Sequence, residues 1–233
     1  MTECTEALPK LAHLAGEVTR LLEKTFGEPK WTGPRDPLDV LIRTILSQNT
    51  NDRNRDLAYE ALRARYPRWD DVLAAPTAEI ASTIRPAGLS NQKSVRIKEL
   101  LAWIKQTYGA LDLRSICQQP TEHVVDLFLQ RKGVGIKTIS VVLMFACGRD
   151  IFPVDTHVHR ICMRLGLVPP GATAERTHHL MQPLVPKGKA YSLHMNLLRL
   201  GRTICRARKP LCALCPLQAI CPSAEHYAPA SSL

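Results

Sequence analysis

No stretch of this chain is apolar for long enough to cross a bilayer, and none shows the apolar–polar alternation of a half-buried strand. The first absence leads to the expectation that no membrane is involved. The second points to an all-α fold. The opening MTECTEALPK carries Glu3 and Glu6 where a secretory signal would be basic, and no apolar core segment follows. The chain is therefore expected to stay in the cytoplasm, a reducing compartment in which its eight cysteines remain thiols. No low-complexity tract or simple repeat stands out. Acidic residues are the minority, 21 against 31 lysines and arginines, giving a formal charge of +10 and a pI near 9.4. That balance suits a polyanion, nucleic acid first and an anionic membrane second, although a merely soluble basic protein has the same arithmetic. Hydrophobic residues make up 45% of the 233 positions, which excludes general disorder and allows one large or two modest domains.

Helical periodicity recurs throughout. Leu11, Leu14, Val18, Leu21 and Leu22 form one stripe, and Gly27 ends it. GEPKWTGPRDP (27–37) reads as a loop, after which Asp36 caps and Pro37 opens PLDVLIRTILSQ. Further helices are expected over 51–66, 77–88 (capped by Thr77), 90–109, 121–131, 136–147, 157–168, 175–185 and 191–205, about ten in all. The tail SAEHYAPASSL is expected to fray. Cys117, Cys147 and Cys162, in apolar or mixed surroundings, read as buried thiols.

Within LQRKGVGIKTISVVLM, Gly133 and Gly135 bracket Val134, and Lys137 opens an apolar helix. Glycines allow a tight turn with exposed N–H groups, and a helix start attracts anions such as phosphate. A lysine there is misplaced for helix stability, so its purpose can lie outside the fold. The alternative is a tight loop with a solvated lysine. Downstream, Asp155 stands before another helix, where its plain role is an N-cap.

Four cysteines lie close together: Cys205, Cys212, Cys215 and Cys221, with six, two and five residues between them. Such spacing lets four thiolates converge on one metal centre. Zinc sites usually pair two short knuckles, and only Cys212 and Cys215 form one, so spacing leans mildly to an iron–sulfur cluster. Arg206, Arg208 and Lys209 fall between the first two cysteines, where a clamped loop would present three cations to a phosphate backbone.

GVGIKT, then VDTHVHR, then this cysteine array, in that order, resembles the endonuclease III family of DNA glycosylases. LSQNTND (46–52) and AGLSNQK (87–93) are similar to further family motifs, and the likeness runs from about Trp31 to Cys221. The resemblance implies a helix–hairpin–helix fold of two helical domains with a DNA cleft between them. One would be a central six-helix domain over 30–149; the other would join 1–29 to 150–233. It implies a hairpin of Gly133, Val134 and Gly135 gripping phosphate, Lys137 and Asp155 as catalytic residues, and the four cysteines as ligands of a [4Fe-4S] cluster. Leu89 aligns with a wedge leucine. Asn49 stands where well-known members place a longer glutamine that fills the gap left by an extruded base. Lys132 replaces a proline before the first hairpin glycine, and Ile139 a small residue.

The implied activity is that of a monomeric, bifunctional glycosylase and abasic-site lyase of base excision repair, associated with the nucleoid if bacterial. It would act on double-stranded DNA, removing oxidised pyrimidines and nicking the abasic site by β-elimination. The alternatives are a mismatch or adenine glycosylase of the same fold, in which the lysine is usually missing, a non-catalytic DNA-binding module, and a zinc protein with basic fingers.

Overall fold

The apolar stripe that begins the chain becomes α1 (Glu3–Phe26), which buries Ala15, Val18 and Leu22. Gly27 stops it at φ +84, its N–H donating to Glu23 O. The structure is a computed structural model that describes residues 3–227, with side chains from Leu8 onward. Every regular element among the described residues is helical. The chain forms two compact units: Gly33–Arg149, and Met1–Thr32 together with Asp150–Leu233.

The uninterrupted unit contains α2 (Pro37–Ser47), α3 (Asp52–Arg65), α4 (Trp69–Ala74), α5 (Thr77–Thr83), α6 (Ser90–Tyr108), α7 (Thr121–Leu129) and α8 (Ile136–Cys147). Short 3-10 turns occupy Arg85–Ala87 and Arg114–Gln118. Asp36 caps α2 as expected, accepting from the N–H groups of Leu38 and Asp39. Leu38, Leu41, Ile42, Ile45 and Leu46 of α2 and Ile139, Val142 and Leu143 of α8 are all buried, and these two helices pack on each other. Two expectations need correction here. Thr77 is the first residue of α5 rather than its cap; Pro76 holds the cap position without a side-chain bond. The six-residue α4 escaped the periodicity because it offers only Trp69 and Val72 to the core.

A third correction concerns Cys117 and Cys147. They are not separate buried thiols but a disulfide, with Cα atoms 5.1 Å apart. Thirty residues separate them; they meet because the 3-10 turn folds back on the C-terminal end of α8. Arg149 fastens the same corner by donating to Cys117 O and Gln119 O, each at 2.8 Å. Cys162 is a fully buried free thiol, as expected.

The second unit joins α1 to α9 (Thr156–Arg164), α10 (Ala174–Met181), α11 (Ala190–Thr203) and α12 (Ala224–Tyr227), with 3-10 turns at Cys212–Leu214 and Gln218–Ile220. α11 lies against both α1 and α9. Glu23 of α1 receives the Lys189 ammonium at 3.1 Å and the Ser192 hydroxyl at 2.8 Å. Asn196 donates to Gly27 O. Asp150 supplies the missing start of α11, accepting from Gly188 N and Ala190 N. The tail expected to fray is ordered as far as Tyr227, since Ala224 is buried; residues 228–233 lie outside the described residues.

Candidate functional site

The hairpin between α7 and α8 is built by backbone bonds: Arg131 N to Phe128 O, Val134 N to Arg131 O and Thr138 N to Gly135 O. Gly133 takes φ +84, open to glycine at little cost. Val134 points inward at 4% exposure and anchors the turn, while Gly135 is the uncapped N-terminal flank of α8. Lys137 follows, half-buried, in the first turn of α8.

Two side chains of the same unit reach toward this hairpin. Gln48 ends α2, and its side-chain amide donates to Gly133 O at 3.0 Å. Arg96 of α6 reaches Gln48 Oε1 at 3.4 Å. Its Cδ lies only 2.8 Å from where a Cβ on Gly133 would stand. Asn49, next to Gln48, is exposed with φ 53; Leu89, before α6, is 53% exposed with φ 47. Leu89 is therefore not the buried leucine that a helix-ending glycine often precedes. Below both loops lies Lys93, 1% exposed, donating to Leu46 O at 2.7 Å and Ala87 O at 2.8 Å. Burial, and then the nearby Arg96 charge, push its amine down to about 8. Gln48, Lys93 and Arg96 were not singled out from sequence. A signal existed for Lys93: it shares the buried stripe of Ile97, Leu100, Leu101 and Ile104 at helical spacing.

In the other unit, Asp155 caps α9: Oδ1 accepts from His157 N at 2.9 Å and from Val158 N at 2.8 Å. The far end of α9 holds the cysteine segment. Arg160 donates to Cys205 O and Gly201 O, and Arg164 donates to Cys205 Sγ, Arg206 O and Ala207 O. Gly201 allows the close approach of α9 to α11, because a Cβ there would meet His157 at 2.8 Å. Between Cys205 and Cys212 the loop is closed by Leu211 N donating to Ile204 O, and Arg206, Arg208 and Lys209 all stand exposed on it.

Cys205, Cys212, Cys215 and Cys221 line one cavity together with Arg164, Pro210 and Tyr227. Four thiols around one shared space are the donor set that an iron–sulfur cluster takes. Burial and the neighbouring sulfurs push the Cys215 thiol up to about 11, and burial raises Cys221 as well. A metal centre is what would hold these as thiolates at neutral pH.

Comparison with known proteins agrees with this geometry. Residues 42–187 match the HhH-GPD superfamily of base excision DNA repair proteins, and residues 205–221 match the iron–sulfur binding domain of endonuclease III. The chain belongs to the HhH-GPD superfamily of base excision DNA repair proteins. Within it the chain is endonuclease III-like, a DNA-binding DNA glycosylase with a [4Fe-4S] cluster. It is 32% identical to endonuclease III of Thermotoga maritima over 88% of this chain and 91% of that protein. It is 37% identical, over 74% of its length, to an Arabidopsis thaliana protein with a provisional DNA glycosylase name, of which it spans 59%. The thymine/uracil-DNA glycosylase of Methanothermobacter thermautotrophicus is 30% identical over 82% of this chain and 84% of that protein. Among solved structures, a non-covalent endonuclease III–DNA complex superposes with a TM-score of 0.79 at 26% identity, covering 92% of this chain and 97% of that one.

Proposed function

We propose that the protein is a bifunctional glycosylase and abasic-site lyase acting on oxidised pyrimidines in duplex DNA. The observation that carries this reading is Lys137, an amine in the first turn of α8 directly behind the glycine hairpin. A cation in that turn opposes the helix dipole. In the proposed scheme the Gly133–Gly135 backbone and the Arg206, Arg208 and Lys209 loop grip phosphates. The target nucleotide leaves the stack, Leu89 holds the vacated step apart, and Asn49 faces the opposite base. The Lys137 amine attacks the sugar C1′, and the base departs with the bonding pair and takes up a proton. The nitrogen pair then forms the C1′=N bond as the C1′–O4′ bond breaks and O4′ takes up a proton; the resulting iminium acidifies the C2′ proton, whose loss expels the 3′ phosphate by β-elimination. Asp155 uses Oδ1 as the α9 cap, which leaves Oδ2 to accept a proton or face cationic charge at the sugar. The cluster, when bound, contributes no step to this chemistry.

A second reading is a thymine or uracil glycosylase, favoured by the Methanothermobacter relative and by the thermostable thymine-DNA glycosylase structure (TM-score 0.74, 27% identity). Duplexes carrying thymine glycol, dihydrouracil, uracil, mismatched thymine or an abasic site, each scored for base loss and nicking, separate the two. Borohydride should trap a covalent adduct on the abasic duplex, and Lys137→Gln should abolish it. An adduct that survives Lys137→Gln ends the lyase proposal. Asp155→Asn should slow base release by roughly 10²- to 10⁴-fold while leaving the melting temperature almost unchanged, because asparagine caps a helix as well as aspartate.

A further inference from the structure

Lysine is among the residues least often buried, and an unpaired ammonium in an apolar interior is costly. Lys93 is nonetheless among the largest fully buried side chains of the molecule. Among the described residues it forms no ion pair with an acidic side chain; its two partners are main-chain carbonyls, one in the last turn of α2 and one in the 3-10 turn Arg85–Ala87, each just ahead of one of the two loops. Leu46 O lies three residues before Asn49, and Ala87 O lies two before Leu89. These are two of the three non-glycine residues with positive φ among the described residues, at 53 and 47. A left-handed conformation strains a leucine above all, and it persists only where its surroundings enforce it. Arg96, one turn further along α6, extends the same support through Gln48 to the hairpin.

We infer that Lys93 is a positioning residue: by bridging Leu46 O and Ala87 O it fixes the separation and backbone twist of the Asn49 and Leu89 loops, and so sets the gap into which a duplex step must open. The role rests on the proposed assignment of Asn49 and Leu89 as the residues that enter the stack. Lys93 touches neither substrate nor reacting atoms. Its amine, pushed down by burial, still keeps two N–H donors for two carbonyls when neutral.

The test uses the full-length protein with Lys93→Met, which keeps the stem but cannot donate. Single-turnover base release is measured on a duplex with 2-aminopurine beside the lesion, whose fluorescence reports unstacking. Borohydride trapping on a single-stranded abasic oligonucleotide, which needs no opened stack, is measured in parallel. Lys93→Met should release the base roughly 10- to 100-fold more slowly, as a misplaced group about 1 Å from its proper position does, with a reduced 2-aminopurine signal. Trapping on the single strand should stay at the wild-type level. The Leu89→Ala, Lys93→Met double variant should be no slower than Leu89→Ala alone, because both changes act on one loop. Wild-type base release by Lys93→Met, or full additivity with a slow Leu89→Ala, overturns the role of Lys93 alone. Wild-type unstacking by Leu89→Ala overturns the wedge assignment and this inference with it. Should Lys93→Met fail to fold, Lys93→Gln, which can still donate to one carbonyl, takes its place. A folded Lys93→Gln with wild-type base release and fluorescence overturns the role.

Discussion

In the proposed scheme Asp155 serves two purposes without conflict. Its Oδ1 closes the start of α9, and the remaining oxygen is outside the cap. His178 illustrates the opposite situation, a titratable group with a purely internal environment. It is 3% exposed, its Nδ1 has no hydrogen-bond partner, and His179 adds like charge beside it. Burial first, and then that neighbour, push it from 6.5 down to about 4. The native state therefore keeps His178 neutral while the unfolded chain takes up a proton below about 6.5. Stability conferred by this site is complete above about 6.5 and is lost as pH falls toward 4, on the order of 3 kcal/mol in all. His178→Gln should flatten that part of the stability profile, measured by denaturant unfolding from pH 7 to pH 4. An unchanged slope in the variant would assign the acid sensitivity to another group.

At the scale of elements, the hairpin is held from two sides, by Gln48 on its carbonyl and by Arg96 beneath Gly133. Gly133→Ala forces a side chain into positive φ and against the Arg96 stem at the same time. It should destabilise the protein by about 1–3 kcal/mol and weaken binding to undamaged duplex. Adding Arg96→Ala should relieve the contact but not the backbone strain, so stability should return only in part. Full recovery would mean that the conformation at 133 carries no cost. The hairpin, the Asp155 cap and the gathering of the four cysteines were legible because each sits on a local pattern: a glycine pair, a helix start, a fixed spacing. Lys93, Gln48 and Arg96 were not, since their partners lie between 6 and 85 residues away and no local spacing connects them. The Cys117–Cys147 bond was missed for the same reason, and α4 because six residues are too few to show a period.

For the whole molecule, the excess of 31 basic over 21 acidic residues makes DNA affinity depend on salt. Each phosphate contact adds about 0.9 to the magnitude of the slope of log K against log salt. Replacing Arg206, Arg208 and Lys209 by glutamine should weaken binding to all duplexes alike and reduce that slope by up to about 2.7, three contacts at 0.9 each. Fluorescence anisotropy across a salt series checks it. A loss confined to one sequence or lesion would contradict backbone gripping by this loop.

The sequence by itself determined the all-helical class, the DNA-directed charge and the cluster-binding segment, because composition, the 3.6-residue period and cysteine spacing are local properties of the chain. Only the tertiary structure decided which side chains hold the loops that carry Asn49 and Leu89, why α9 is fastened to Cys205, and how an N-terminal helix completes a C-terminal unit. Those decisions rest on pairs of groups far apart in sequence, whose meeting is fixed by core packing and by the need to satisfy buried carbonyls and amines.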